Sequence, residues 1–195
     1  MKKMCTLVLI VVSSRAFSQD SLKAFNYSRN RITTTGMEVL GGWAVAHLGI
    51  GAIGWADSKS GSNKYYYKMD FLWNTVNLGA AILGYTSARK GMNKQLTPAE
   101  SLKEQQKIEK TFLINGGLDV VYIGTGVFLK QRGDNRKNDQ LKGYGSSITV
   151  QGAFLLLFDA TMYTAQKHNG SKLIHFLEKN PVTFNGKQIG ILFNI

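Results

Sequence analysis

The sequence predicts an all-α protein, a transmembrane four-helix bundle made of two helical hairpins. Four stretches of the 195-residue chain have the length and apolarity of membrane-crossing helices. Charged residues collect between these stretches and form no polar stripe along them, although a soluble helix would need one. Aromatic residues stand at the edges of the stretches, as in an interfacial belt. A soluble bundle is the alternative, less favoured because all-round apolar helices are normal only in lipid or in a large core.

The first 18 residues have the pattern of a cleaved export signal. Lys2 and Lys3 supply a positive start, residues 6–12 form a short apolar core, and Ala16 and Ser18 are small residues before the expected cut. The apolar run is too short to span a bilayer. Cleavage would leave a mature chain without cysteine, since Cys5 is the only one.

The remaining elements follow in order along the chain. They are a polar segment over 19–34, spans over 35–55, 71–88, 112–130 and 145–166, and a polar tail over 167–195. Thr97, Pro98 and Glu100 form a capping box with proline at the first helical position. This predicts one helix from Pro98 to about Lys130, roughly 50 Å long and so extended beyond the membrane at its N-terminal end. The end of the tail alternates enough to predict a short strand or a peptide docked on the bundle.

An internal repeat supports the hairpin arrangement. The segment GGWAVAHLGIG at 41–51 aligns without gaps with GGLDVVYIGTG at 116–126. In lipid, small residues allow the close backbone approach that holds helices together. The sequence therefore predicts a duplicated hairpin whose first and third spans pack closely. The predicted packing positions are Gly42, Gly49, Gly117 and Gly124.

The charge balance suggests a lipid partner. Lys and Arg number 24 against 12 Asp and Glu, a net charge of +12. The basic loops lack the aromatic interleaving of a nucleic-acid binder, so we expect anionic lipid headgroups and no nucleic acid as partners. The sequence does not determine the orientation of the chain in the membrane, because the export signal and the distribution of basic residues favour opposite directions.

Several polar residues fall within the predicted spans and form a candidate cluster: His47, Asn77, Asn115, Asp119, Tyr122 and Asp159. One interpretation is a proton or small-solute site with His47 and Asp119 as titrating groups. The favoured interpretation is hydrogen bonding between helices that fixes their register. Asp70 and Glu38 are expected at the membrane interface, without a special role.

The sequence predicts no catalytic, cofactor or metal site and a protein that is not an enzyme. It has no phosphate loop, no HExxH pair and no GxSxG elbow. The spans offer one histidine and no thiolate, which is a poor ligand set for a metal.

Four runs carry a family resemblance: GMEVLGGWAVAHLGIGAIGWA, FLWNTVNLGAAILGY, LKEQQKIEKTFLINGGLDVVYIGTG and LKGYGSSITVQGAFLLLFDATMY. Over about residues 26–168 the chain resembles an uncharacterised family of small four-helix bacterial integral membrane proteins with no assigned activity. The resemblance implies a multi-pass protein of the bacterial inner membrane and assigns no functional residues. We expect a structural or interaction component that packs through Gly-rich faces and self-associates. The alternative is a small transporter or proton-coupled carrier.

Overall fold

The computed structural model describes residues 2–179, 182–184 and 189–191, with side chains over 20–175 and at 178. The helices are α1 (Lys2–Asp57), α2 (Ser62–Gly91), α3 (Pro98–Arg136) and α4 (Asp139–Lys179). Two short antiparallel strands follow, β1 (Val182–Phe184) and β2 (Ile189–Ile191). The predicted four-helix architecture is confirmed, and a strand forms in the tail segment that alternates. The export signal over 1–18 lies outside the described side chains and stays a prediction.

Three of the described helical stretches are long and apolar enough to cross a membrane: Asp20–Asp57, Pro98–Arg136 and Asp139–His175. The helix α2, which contains the predicted span 71–88, is not among them. Its buried face carries Asp70, Asn74 and Asn77, which lower its apolar character. Those three residues are three or four positions apart and therefore lie on one face of the helix.

Polar and apolar residues are distributed in the opposite sense to a soluble protein. Asp70, Asn74 and Gln151 are completely buried, whereas Leu83 and Leu157 are more than two-thirds exposed. A polar interior is expected where the surroundings are hydrocarbon, because buried polar groups can satisfy one another there while apolar side chains face lipid.

The helices pack mainly within their hairpins. Helix α1 runs along α2 and α3 runs along α4, while α4 also packs against α2. The contact between α1 and α3 is slight, so the predicted close pairing of the first and third spans is wrong. Short connections hold sequence neighbours together and place α1 and α3 in different hairpins. Since α2 and α3 do not pack along each other either, a cleft remains between them.

The glycines that permit close packing are not the predicted ones. Gly42, Gly49, Gly117 and Gly124 are exposed, and no atom of the described residues lies within 4 Å of the place where a Cβ atom would stand. They lie on the outward face of each helix, so their predicted packing role within the chain is wrong. The inward face instead carries Gly51 and Gly126. A Cβ atom at Gly51 would stand 2.8 Å from the Phe71 nitrogen, and one at Gly126 would stand 2.7 Å from the Thr149 nitrogen.

Equivalent positions of the two hairpins have equivalent neighbours. Gly41 faces the Cβ atom of Ala81 at 3.6 Å, and Gly116 faces Leu156 Cδ1 at 3.9 Å. Gly41 and Gly116 are 75 positions apart in the sequence, and their partners Ala81 and Leu156 are also 75 positions apart. Gly51 and Gly126 have the same separation. The two hairpins therefore use the same small-residue pattern, and duplication of the hairpin stays a prediction.

The segments flanking the spans continue the helices. Thr97 caps α3, because its Oγ1 accepts a hydrogen bond from the Glu100 nitrogen and its own nitrogen donates to the Glu100 carboxylate. The predicted capping box and long third helix are confirmed. The predicted polar segment 19–34 is part of α1, and the tail begins as a continuation of α4. Leu22, Phe25 and Leu173 form a small apolar cluster there.

Candidate functional site

The cleft between α2 and α3 encloses a cavity of about 650 Å³. Its walls come from α2 and α3, and α1 and α4 close its back. The lining includes five of the six predicted cluster residues: Asn77, Asn115, Asp119, Tyr122 and Asp159. Along α3 it extends from Glu104 to Tyr122, a distance of about 27 Å at the rise of an α-helix.

Two carboxyl groups lie together at the inner part of this cavity. Asp119 of α3 and Asp159 of α4 are both buried, and their side chains lie side by side in the lining of the cavity. Asp119 Oδ2 has no hydrogen-bond partner within the described residues. An ionised carboxylate can only accept hydrogen bonds, so two carboxyl groups bond to each other only when one carries a proton. A proton shared between the two carboxyl groups would give Asp119 Oδ2 the hydrogen-bond partner that it lacks.

The two ends of the cavity differ in chemistry. At the inner end, Trp73 of α2 and Tyr122 of α3 meet edge to face, with ring centroids 5.0 Å apart. At the other end the lining carries Arg29, Lys94 and Lys107 against Glu104. These charged residues lie outside the predicted spans, whereas Asp119 lies near the middle of the third. The cavity thus extends from a polar end of the bundle to the centre of the spans, where the aromatic pair forms part of its lining.

His47 does not join Asp119, and its placement in one cluster with the other five residues is wrong. It lies on α1 and faces α2, where its Nδ1 is 3.0 Å from Asp70 Oδ1. Because the Asp70 carboxylate accepts hydrogen bonds, Nδ1 carries the hydrogen and donates it. The slight contact between α1 and α3 explains why His47 cannot reach Asp119.

Asp70 is the centre of a buried hydrogen-bond network that the sequence analysis missed. Its Oδ1 accepts from Gln151 Nε2 at 2.6 Å and from Asn74 Nδ2 at 3.3 Å. Gln151 in turn accepts from Trp43 Nε1 at 3.1 Å. The network joins α1, α2 and α4. The expectation that Asp70 lies at the membrane interface is wrong, since its side chain is completely buried.

A second missed network joins α1, α3 and α4 near the polar end. Gln105 Nε2 donates to the Gln166 carbonyl at 2.7 Å, and Gln166 Nε2 donates to Thr33 Oγ1 at 3.0 Å. Arg29 Nη1 donates to the Ser101 carbonyl at 3.3 Å. These contacts are the inter-helix hydrogen bonding expected of polar groups in a membrane bundle, and Arg29 connects them to the cavity.

We expect His47→Ala to lower stability without changing the cavity. Asp70 loses one donor but keeps Gln151 and Asn74, so the loss is about 1 kcal/mol, as for other hydrogen bonds in membrane bundles. Thermal unfolding of the detergent-purified protein measures this loss. His168→Ala, at an exposed position of α4, is the control, and equal melting temperatures for both variants would contradict a stabilising His47–Asp70 pair.

The site has few options for a metal. Among the described side chains, no group of three or more His, Cys, Asp or Glu residues could hold a metal ion. The inner part of the cavity is lined by two carboxyl groups, two carboxamides and the aromatic pair.

The comparisons with known proteins identify a family but no activity. No curated protein and no solved structure matches the chain. A family model, described as a family of unknown function (DUF6992), matches residues 39–160, which include α2 and α3 and most of the cavity lining. The chain belongs to this family of unknown function, DUF6992.

Proposed function

We propose that the protein is a membrane carrier, and not an enzyme, that binds a small organic cation in the α2–α3 cavity. The bound cation exchanges for the proton held between Asp119 and Asp159. The observation that carries this proposal is the buried carboxyl pair at the inner part of a cavity that reaches one end of the bundle. It corresponds to the carrier alternative of the sequence analysis, with Asp159 in the place of His47.

The lining around the carboxyl pair supports a cation as the ligand. Trp73 and Tyr122 offer aromatic rings, which attract cations such as ammonium groups. Asn77 and Asn115 add carboxamide oxygens. The nearest basic lining residue on α3, Lys107, lies about 18 Å from Asp119 along the helix axis. The inner part of the cavity is therefore acidic and aromatic.

Exchange follows from the charge of the pair. With one proton, Asp119 and Asp159 together carry a single negative charge, and a second ionised carboxylate beside the first would be unfavourable. A cation placed between them makes the doubly ionised form acceptable, so its binding releases the shared proton. A site near the middle of the spans that is open to one side is typical of secondary transporters.

The experiment is calorimetric titration of the detergent-purified protein with tetraphenylphosphonium in buffers of different protonation enthalpy. We expect binding with release of about one proton, the proton that the pair shares. Asp119→Asn should abolish the release. Asp139→Asn is the matched control, because it removes one exposed carboxylate from the start of α4. Binding without proton release, or equal release from Asp119→Asn, would overturn the proposal.

A structural or interaction component that self-associates is the second candidate. Gly42, Gly49, Gly117 and Gly124 face outward with open space around them, so they are available for packing between copies. The cavity favours the carrier, because a component that only packs has no need of a buried carboxyl pair within a cavity.

A further inference from the structure

A second, smaller cavity of about 290 Å³ lies between α1 and α2. Arg31 and Glu38 line it from α1, and Tyr85 and Arg89 line it from α2. Tyr27 and Asn93 also line it. None of these six residues lines the larger cavity, so this site is separate from the proposed carrier site.

Both arginines are available to a ligand. Within residues 20–175 and 178, neither Arg31 nor Arg89 takes part in an ion pair. Arg89 Nη1 donates to the Tyr85 hydroxyl at 3.1 Å, which leaves its other guanidinium hydrogens unused. Both side chains are exposed, and Glu38 makes no ion pair with either of them.

The position of the pair relative to the predicted spans points to lipid headgroups. Arg31 precedes the predicted span 35–55 by one helical turn, and Arg89 directly follows the predicted span 71–88. Both guanidinium groups are thus expected at headgroup depth, on the same side of the membrane. Tyr27 and Tyr85 are the amphipathic aromatic residues that are typical of this depth.

The charges of the site select the ligand. Guanidinium groups bind phosphate oxygens through paired hydrogen bonds. Arg31 and Arg89 together with Glu38 give a net charge of +1, which matches a phosphodiester with a single negative charge. A headgroup that also carries an ammonium group is neutral overall, so the net positive charge of the site would contribute less to its binding.

We propose that Arg31 and Arg89 form a binding site for the phosphate group of an anionic phospholipid. The lipid lies against the outer surface of the α1–α2 hairpin, with its phosphate between the two guanidinium groups. Its acyl chains follow the apolar side chains that these helices expose, such as Val39 and Ile82. The site is independent of the proposed carrier function.

The test is native mass spectrometry of the full chain in detergent, titrated with dioleoyl phosphatidylglycerol. We expect Arg31→Gln and Arg89→Gln each to weaken binding about tenfold, as for loss of a charge-assisted hydrogen bond. Dioleoyl phosphatidylcholine should bind less tightly to the unchanged protein. Lys90→Gln is the matched control, since it removes an adjacent exposed charge outside the cavity and should leave binding unchanged.

Three results would overturn the lipid site. They are equal weakening by Lys90→Gln, equal affinity for phosphatidylcholine, and displacement of the lipid by millimolar inorganic phosphate, which would indicate a free-anion site. Size-exclusion elution of each variant checks its folding, and Arg31→Lys and Arg89→Lys provide a second test. They keep the charge but lose the paired hydrogen bonds, so they should bind the lipid more weakly than the unchanged protein.

Discussion

Alanine at Gly126 is expected to destabilise the bundle by about 1–3 kcal/mol, the usual cost of overpacking. A methyl group there would stand 2.7 Å from the Thr149 nitrogen and 2.8 Å from the Gly145 carbonyl oxygen. Both atoms belong to the backbone of α4, so α3 and α4 would have to separate. Unfolding of the detergent-purified protein by denaturant measures the change.

Gly124→Ala is the matched control on the same helix. Nothing lies within 4 Å of its Cβ position, and alanine favours a helix over glycine by about 1 kcal/mol. We therefore expect Gly124→Ala to leave stability unchanged or to raise it. If Gly124→Ala lowered the stability more than Gly126→Ala, the packing role that the sequence predicted for Gly124 would be supported instead.

Replacing Trp73 by alanine is expected to open the inner end of the cavity. The edge-to-face contact with Tyr122 is worth about 1 kcal/mol, so its loss should raise the population of open bundles about fivefold. Liposomes containing the variant should lose a gradient of the membrane-impermeant cation tetraethylammonium faster by a similar factor. Because Trp73 is half-buried and lies at the edge of the cavity, we expect the fold to persist.

Trp55→Ala is the control for the loss of a large aromatic residue. Trp55 contacts Phe71 and lies outside the cavity lining, with Lys68 over its ring. Its removal should leave the leak rate unchanged. Equal leak rates for the Trp73 and Trp55 variants would show that the aromatic pair at Tyr122 does not close the cavity.

The sequence predicted the elements well because their signals are local. The capping box at Thr97 and the breaker-free run after Pro98 determined where α3 begins, and the apolar stretches determined the four helices. Asp70, Asn74 and Asn77 share a face of α2 because residues three or four apart lie on one side of a helix, but this spacing does not tell whether the face is buried.

The pairing of helices could not be read in the same way. Gly42 and Gly51 look alike in a sequence, and only the neighbouring helix decides which of them meets backbone atoms. His47 and Asp119 each lie within an apolar span, but they belong to different hairpins and face different partners. Five of six cluster residues line the cavity because α2, α3 and α4 turn their polar faces to one cleft.

The weak contact of α3 with both α1 and α2 has a mechanical consequence. The two hairpins meet mainly along a seam between α2 and α4, and the chain joins them only through the short connection between Gly91 and Pro98. Rotation about that seam would change the width of the cleft, and it would also have to rearrange the hydrogen bonds that α1 makes with α3 and α4. The width of the cleft is therefore tied to the polar contacts between α1 and the opposite hairpin.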